Sequence, residues 1–552
     1  MDTNQPGGSA RATTTAGGPF VRADGTHAPT AEHVAPHPYG KDPQHTGPAI
    51  GAPAATPTAF LSVFQLAMLT VVTVASLRSL PAMGAYGLGS ITLFVIPAIL
   101  FLVPTALVAA ELATGWKGGV FTWVREAFGN RMGFTAIWLQ WIQNVVWYPT
   151  QIAFIAASLS FVIGNQGLAS NGLYTAVVIL VLYWGSTLIT LKGGNLFAKV
   201  GSWSGILGTL FPALLLIVLG AIWLATGEKS QTPLELSAVV PPWTGIASIV
   251  LVVSNVLAYA GMEVNAVHAN DMKNPGKGFP RSIAVATLLI LVVFILPTIS
   301  MAVAVPKKDL GLTNGINLAF QVFFDKWDMP WAVTAISALI ALGAFASVVT
   351  WIAGPSRGLL AAARTGLLPP ALQKRNAAGV QVGILGVQGI VVSVLALLFL
   401  VIPNINTAFI ALIDMAAALY LVMYMMMFAA AIRLRRSQPD VVRTYRTPAM
   451  KLVAGVGFVA CAAAFVLAFV PPEGFTGVPP AAYPFVVAAV VIVLGGPPLI
   501  FYAMRKPTWD QRTAAEQETA EGVLVNPPPG VVAQGSGAAG SPPGGPSRGA
   551  PG

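Results

Sequence analysis

Thr73-Val74-Ala75-Ser76-Leu77-Arg78-Ser79-Leu80-Pro81 and Ser254-Asn255-Val256-Leu257-Ala258-Tyr259-Ala260-Gly261-Met262-Glu263-Val264-Asn265 are the two stretches that decide how this chain folds. Each interrupts an apolar run. In the first, Pro81 removes a backbone donor and disfavours helix at Leu80, and Gly84, Gly87 and Gly89 follow. In the second, a glycine and a carboxylate stand in the middle of the run. Backbone inside hydrocarbon has no water to bond, so an interrupted helix is tolerated at depth only where it lines a cavity or is buried in protein. A proline kink or a packing glycine is the plainer reading of either stretch alone; their positions argue for more.

The two stretches are the first and sixth of twelve apolar segments, spanning roughly 60–84, 90–114, 121–164, 173–191, 199–226, 244–270, 280–305, 330–365, 381–402, 405–434, 450–470 and 481–504. Most reach the length of about 20 residues that spans a bilayer. The third and eighth are long for one crossing, so each is expected to include an interfacial turn; 312–325 reads as a short external helix. Broken helices at corresponding positions of two halves point to a transporter site at mid-membrane, with five helices repeated by five in inverted topology and two added. The expectation is therefore an all-α membrane protein of twelve transmembrane helices, with breaks near 76–81 and 259–263.

Composition agrees. Of 552 residues, 55% are hydrophobic and 9% charged, against about 25% charged in a soluble domain. The single cysteine, Cys461, excludes an intrachain disulfide. A net charge of +10 would suggest nucleic acid in a soluble protein; here the cations sit in short loops. With the N-terminus in the cytoplasm, inside loops carry eighteen Lys and Arg, outside loops only Lys229, Lys307, Lys308 and Lys326. Both termini are thus expected in the cytoplasm, with the lipid bilayer and no nucleic acid as partner. Residues 1–57 and 507–552, rich in Gly and Pro, read as disordered tails around a core at 58–506. The first tail lacks the apolar region of a signal peptide.

Tyr259-Ala260-Gly261-Met262-Glu263, continuing to His268-Ala269-Asn270-Asp271-Met272-Lys273-Asn274-Pro275-Gly276, resembles the amino acid–polyamine–organocation (APC) transporters. So do Ala110-Glu111-Leu112-Ala113-Thr114 and Gly118-Gly119-Val120-Phe121-Thr122-Trp123-Val124. Trp351-Ile352-Ala353-Gly354-Pro355-Ser356-Arg357-Gly358 and Ala363-Arg364-Thr365-Gly366-Leu367-Leu368-Pro369 are similar to the bacterial glutamate/GABA antiporter branch. The resemblance covers the core and implies a LeuT-type fold. It implies that a substrate carboxylate meets backbone N–H groups at Ser76, Leu77, Arg78 and Ser79, and an α-amino group meets carbonyls at Tyr259, Ala260, Gly261 and Met262. Half-helix ends carry the partial charges that suit a zwitterion.

The resemblance also implies that Tyr420, Tyr424 and Trp351 line the substrate; the tyrosines, at i and i+4, share a face. Core or interfacial aromatics are the alternative. Two positions depart from the family pattern: Ser347 stands where glutamate-selective members carry a carboxylate, and Arg78 where a tyrosine can stand. Ionisable groups at depth are costly and usually functional or paired. Arg78 is read as a cation facing the cavity, able to hold a carboxylate bidentately, or else as a structural partner of Glu263 or Asp414. Glu111 is counted with these groups. Glu263, His268 and Asp414 are candidates for gating or proton linkage; for His268 the alternative is a satisfied helix end, for Asp414 a packed polar residue.

These features predict secondary transport of a small amino acid, as an antiporter of the glutamate/GABA type or by proton-coupled uptake. No HExxH, CxxC or GxxxxGK[ST] pattern occurs, which argues against an enzyme or an ATP-driven pump and implies neither metal nor cofactor. A sensor or channel is the alternative of another class. The sequence leaves the oligomeric state open.

Overall fold

The computed structural model describes residues 61–192, 206–243, 245–471 and 479–512. The N-terminal tail with His27, His33, His37 and His45, and the start of the fifth segment, lie outside the described residues. Helices are α1 (Val63–Val74), α2 (Leu80–Gly84), α3 (Gly87–Gly115), α4 (Gly119–Phe128), α5 (Asn130–Ile163), α6 (Gly172–Lys192), α7 (Ile206–Ala225) and α8 (Val252–Ala258). They continue with α9 (Met262–Asn265), α10 (Pro275–Ala304), α11 (Gly315–Asp325), α12 (Pro330–Ala363), α13 (Val382–Val401), α14 (Ile405–Ser437), α15 (Met450–Leu467) and α16 (Tyr483–Met504).

Among the described residues ten helices are long and apolar enough to cross a bilayer, and the pair α1–α2, bent by 51°, makes an eleventh. The sixth segment accounts for the difference from twelve. It consists of α8 and α9, of seven and four residues, each too short to cross alone. The third segment does contain a turn, with α4 ending at Gly129 (φ 87°) before α5 begins. The eighth does not: α12 runs unbroken through its 34 residues. The external helix expected at 312–325 is α11.

Helices α5 and α14 form the centre. Both are buried along most of their length, and α5 packs against α12 and α14. One buried polar chain ties this scaffold together: Trp141 Nε1 donates to Gln388 Oε1 at 2.7 Å, and Gln388 Nε2 to the Tyr183 hydroxyl at 2.8 Å. By contrast α16 buries only Tyr483, Val487 and Pro498, as a helix facing lipid should.

One end of the bundle is fastened by charge. Glu111 on α3 accepts two bonds from Arg435, at 2.9 and 2.7 Å, and one from the Thr447 N–H at 2.6 Å. Glu111 is buried (1% exposed), and its partners belong to the end of α14 and the loop after it. Nearby, the C-terminal end of the described chain is docked. Gln511 N–H donates to the Arg364 carbonyl at 3.1 Å, and Gln373 Nε2 to the Trp509 carbonyl at 2.8 Å. The six residues 507–512 therefore lie against the loop after α12.

Candidate substrate site

The first break is built locally. Ser62 caps α1 with a reciprocal bond to Gln65, and α1 ends where Ala75 and Ser76 turn extended (Ser76 φ −139°, ψ 126°). A 3-10 turn, Leu77–Ser79, then leads into α2. Pro81 sits in the first turn of α2, where its missing N–H leaves no bond unmade. The break thus falls before Leu80, which is itself helical (φ −65°, ψ −42°). Ser79 Oγ donates to the Ser76 carbonyl at 3.1 Å.

The second break turns on Gly261, whose φ of 104° is left-handed; a Cβ there would also stand 3.4 Å from Trp351 Cη2. Only glycine fits without strain. The Gly261 N–H donates to the Tyr424 hydroxyl at 3.0 Å. That hydroxyl donates in turn to Glu263 Oε2 at 2.6 Å, while Tyr420 donates to Glu263 Oε1 at 2.5 Å and Gln140 Nε2 to the same oxygen at 3.1 Å. The tyrosine rings lie 4.6 Å apart, and Phe101 meets Tyr424 edge-on at 4.9 Å. The buried carboxylate of Glu263 is thus bound to α5 and α14 at once. Bonds to an ionised acceptor are the strong ones.

Tyr259 faces away from this cluster. Its hydroxyl donates to the Phe94 carbonyl at 2.9 Å and its ring stacks on Phe294. Asn255 Nδ2 donates to the Leu93 carbonyl at 2.9 Å, and the reason lies in α3: Pro97 has no N–H to offer the carbonyl four residues back. Ala260 and Met262 flank Gly261 in the turn, Met262 buried. Trp351 is half-buried, against Gly261 and 6.4 Å from the Trp147 ring; Ser347 is half-buried one turn earlier.

Arg78 occupies a different place. It is 4% exposed; its Nε and Nη1 are buried with no hydrogen-bond partner, and its guanidinium lies 5.7 Å from the centre of the Phe409 ring. Neither expected acid engages it. Glu263 is taken by the tyrosines, and Asp414 accepts a short bond from Tyr483 on α16. Phe409 precedes Tyr420 by eleven residues of helix, about 16 Å. The structure therefore brings Gly261, Glu263, Trp351, Tyr420 and Tyr424 together and sets Arg78 apart. His268 pairs with Asp271 at 2.8 Å, both partly exposed, as a helix-end histidine does.

Gln140 and Asn265 belong to the site and are absent from the sequence expectations. Asn265 Oδ1 lies 3.5 Å from Thr73 Oγ1, so the two breaks touch. A polar residue inside the apolar run Trp138-Leu139-Gln140-Trp141 was the available signal for the first.

Comparison with known proteins agrees with this architecture. The family described as "Amino acid permease" matches residues 61–495. An uncharacterised transporter of Legionella pneumophila is 39% identical over 75% of this chain and 90% of its own length. A glutamate/gamma-aminobutyrate antiporter of Lactococcus lactis is 32% identical over 80% of this chain and 90% of its own. A probable agmatine/putrescine antiporter of the same species is 25% identical over 70% and 82%. The chain belongs to the amino acid permease (APC) family, a family of multi-pass membrane transporters rather than enzymes whose members imply a LeuT-like fold.

Proposed function

We propose that this protein is a secondary active antiporter of the glutamate/GABA type, working by alternating access in the bacterial plasma membrane. In this reading the α8–α9 segment is a twelfth, broken crossing, the first ten crossings form two inverted repeats of five, and both termini are cytoplasmic. The substrate amino group lies at the Gly261 turn, walled by Trp351, Tyr420 and Tyr424, with Ser347 beside them. Glu263 must release at least one tyrosine as the site opens.

One observation carries the preference for an acidic or zwitterionic substrate: Arg78 is buried with no carboxylate partner among the described residues. A buried, unpaired cation is expensive, and a substrate carboxylate would complete it. Its distance from Tyr420 makes Arg78 a group met on the way to or from the Gly261 turn. Counterflow in proteoliposomes against unlabelled amino acids tests the reading. Exchange of glutamate or GABA at rates well above lysine, arginine and agmatine is expected; best exchange of a cationic ligand overturns it. Proton-coupled uptake is the second reading, favoured by the buried Asp414, which among the described residues meets a tyrosine and no cation. Uptake into empty vesicles driven by a pH gradient alone would select it.

A further inference from the structure

At the end of α14 that carries Arg433, Arg435 and Arg436, a groove of about 620 Å³ opens between α14, α15 and the end of α4. Its walls are apolar. Phe458 and Val459 of α15 are 38% and 66% exposed, and a Cβ built on Gly455 meets nothing within 4 Å, so the floor is open. Gly457, two residues on, is pressed against the Phe428 ring, which packs α15 closely on α14 beside the groove. The rim is basic. Arg433 and Arg436, one turn apart on α14, both line it and are exposed. The Arg433 guanidinium is held 5.2 Å above the Phe128 ring.

Two acids near this rim, Glu126 and Glu111, have partners of their own. Glu126 on α4 pairs with Arg125 at 3.7 Å, and Glu111 is filled by Arg435 and Thr447. Among the described residues neither Arg433 nor Arg436 makes an ion pair, and Asp440 in the next loop is exposed and unpaired. From Arg436 back to Ala429 the groove follows seven residues of helix, about 10 Å. Two unpaired guanidinium groups at the end of a membrane helix, above an apolar cleft leading toward the bilayer centre, have the polarity of a phospholipid.

We propose that this groove is a binding site for an anionic phospholipid, with its phosphodiester between Arg433 and Arg436 and one acyl chain along Gly455, Phe458 and Val459. Basic pockets between helices recognise such headgroups, each Arg near the surface adding severalfold in affinity. The site lies apart from the Gly261 turn and does not depend on which amino acid is carried.

The test uses the full chain, delipidated in detergent, with bound lipid counted by native mass spectrometry. The probes are phosphatidylglycerol, phosphatidylcholine and inorganic phosphate. Phosphatidylglycerol is expected to bind the wild type, and Arg433→Ala/Arg436→Ala to lower its affinity about thirtyfold. Gly455→Leu, whose Cβ has open space and whose side chain projects into the cleft, is expected to do the same with both arginines intact. Lys451→Ala, a nearby exposed cation, is expected to bind as the wild type does. Equal binding of phosphatidylcholine, unchanged binding in Gly455→Leu, or inorganic phosphate displacing the lipid from the wild type would each overturn the proposal.

Discussion

The two breaks solve opposite electrostatic problems. At α8–α9 a buried anion, Glu263, is surrounded by three side-chain donors, and a tyrosine passes the bonding on to the turn itself. At α1–α2 a buried cation, Arg78, has an aromatic face and no acceptor for two of its nitrogens. A group saturated by the protein holds structure in place; a group left wanting is available to something else. In the proposed function the sixth segment locks the conformation and the first attracts the ligand.

The largest test removes the anion. Glu263→Gln keeps shape but loses the charge that two tyrosines and Gln140 address. At about 1.5–3 kcal/mol for each bond to a charged group, counterflow per folded transporter should fall at least about 100-fold; a loss under threefold would mean that the lock is not used.

Next comes Tyr424→Phe against Tyr420→Phe. Tyr424 also accepts from Gly261 and Tyr420 does not. With one further bond at stake, about 1 kcal/mol, Tyr424→Phe should be about fivefold slower than Tyr420→Phe in the same assay. Equal rates would separate Gly261 from the lock.

Arg78→Ala should weaken glutamate binding about tenfold, the scale of one exposed-to-buried charge contact, and weaken a cationic ligand least, read by isothermal titration. Equal losses for glutamate, GABA and lysine would turn Arg78 into a structural residue and erase the contrast between the breaks. Smallest is Asp414→Asn. Its partner Tyr483 lies on a peripheral helix, so exchange should change less than about twofold while thermal unfolding shifts down by a few degrees. A tenfold loss of exchange would bring α16 and the proton-coupled reading forward.

Much of this was legible in the chain. Pro81 and Gly261 announce breaks because backbone chemistry is local, and the apolar lengths announce crossings. The i, i+4 tyrosines announce a shared face, but not that Glu263, more than 150 residues away, lies against it. Depth within the bundle was the hardest quantity to read. Arg78 and Asp414 are both buried ionisable groups, yet Arg78 faces Phe409 whereas Asp414 faces Tyr483, on another side of α14. Glu111 belongs to a fastening near the end of α14 because its cation, Arg435, comes from 324 residues later. No local pattern encodes such pairings.

Helix α3 has a mechanical consequence. Near one end its Leu93 and Phe94 carbonyls hold Asn255 and Tyr259 of the sixth segment. Near the other, Glu111 grips Arg435 and Thr447. Seventeen residues separate the two grips, along a helix interrupted by one π turn, Ala98–Leu102. In the proposed function, a tilt that opens the Gly261 turn while those grips hold would pass along α3 to the loop between α14 and α15, gearing the turn to the far face of the protein.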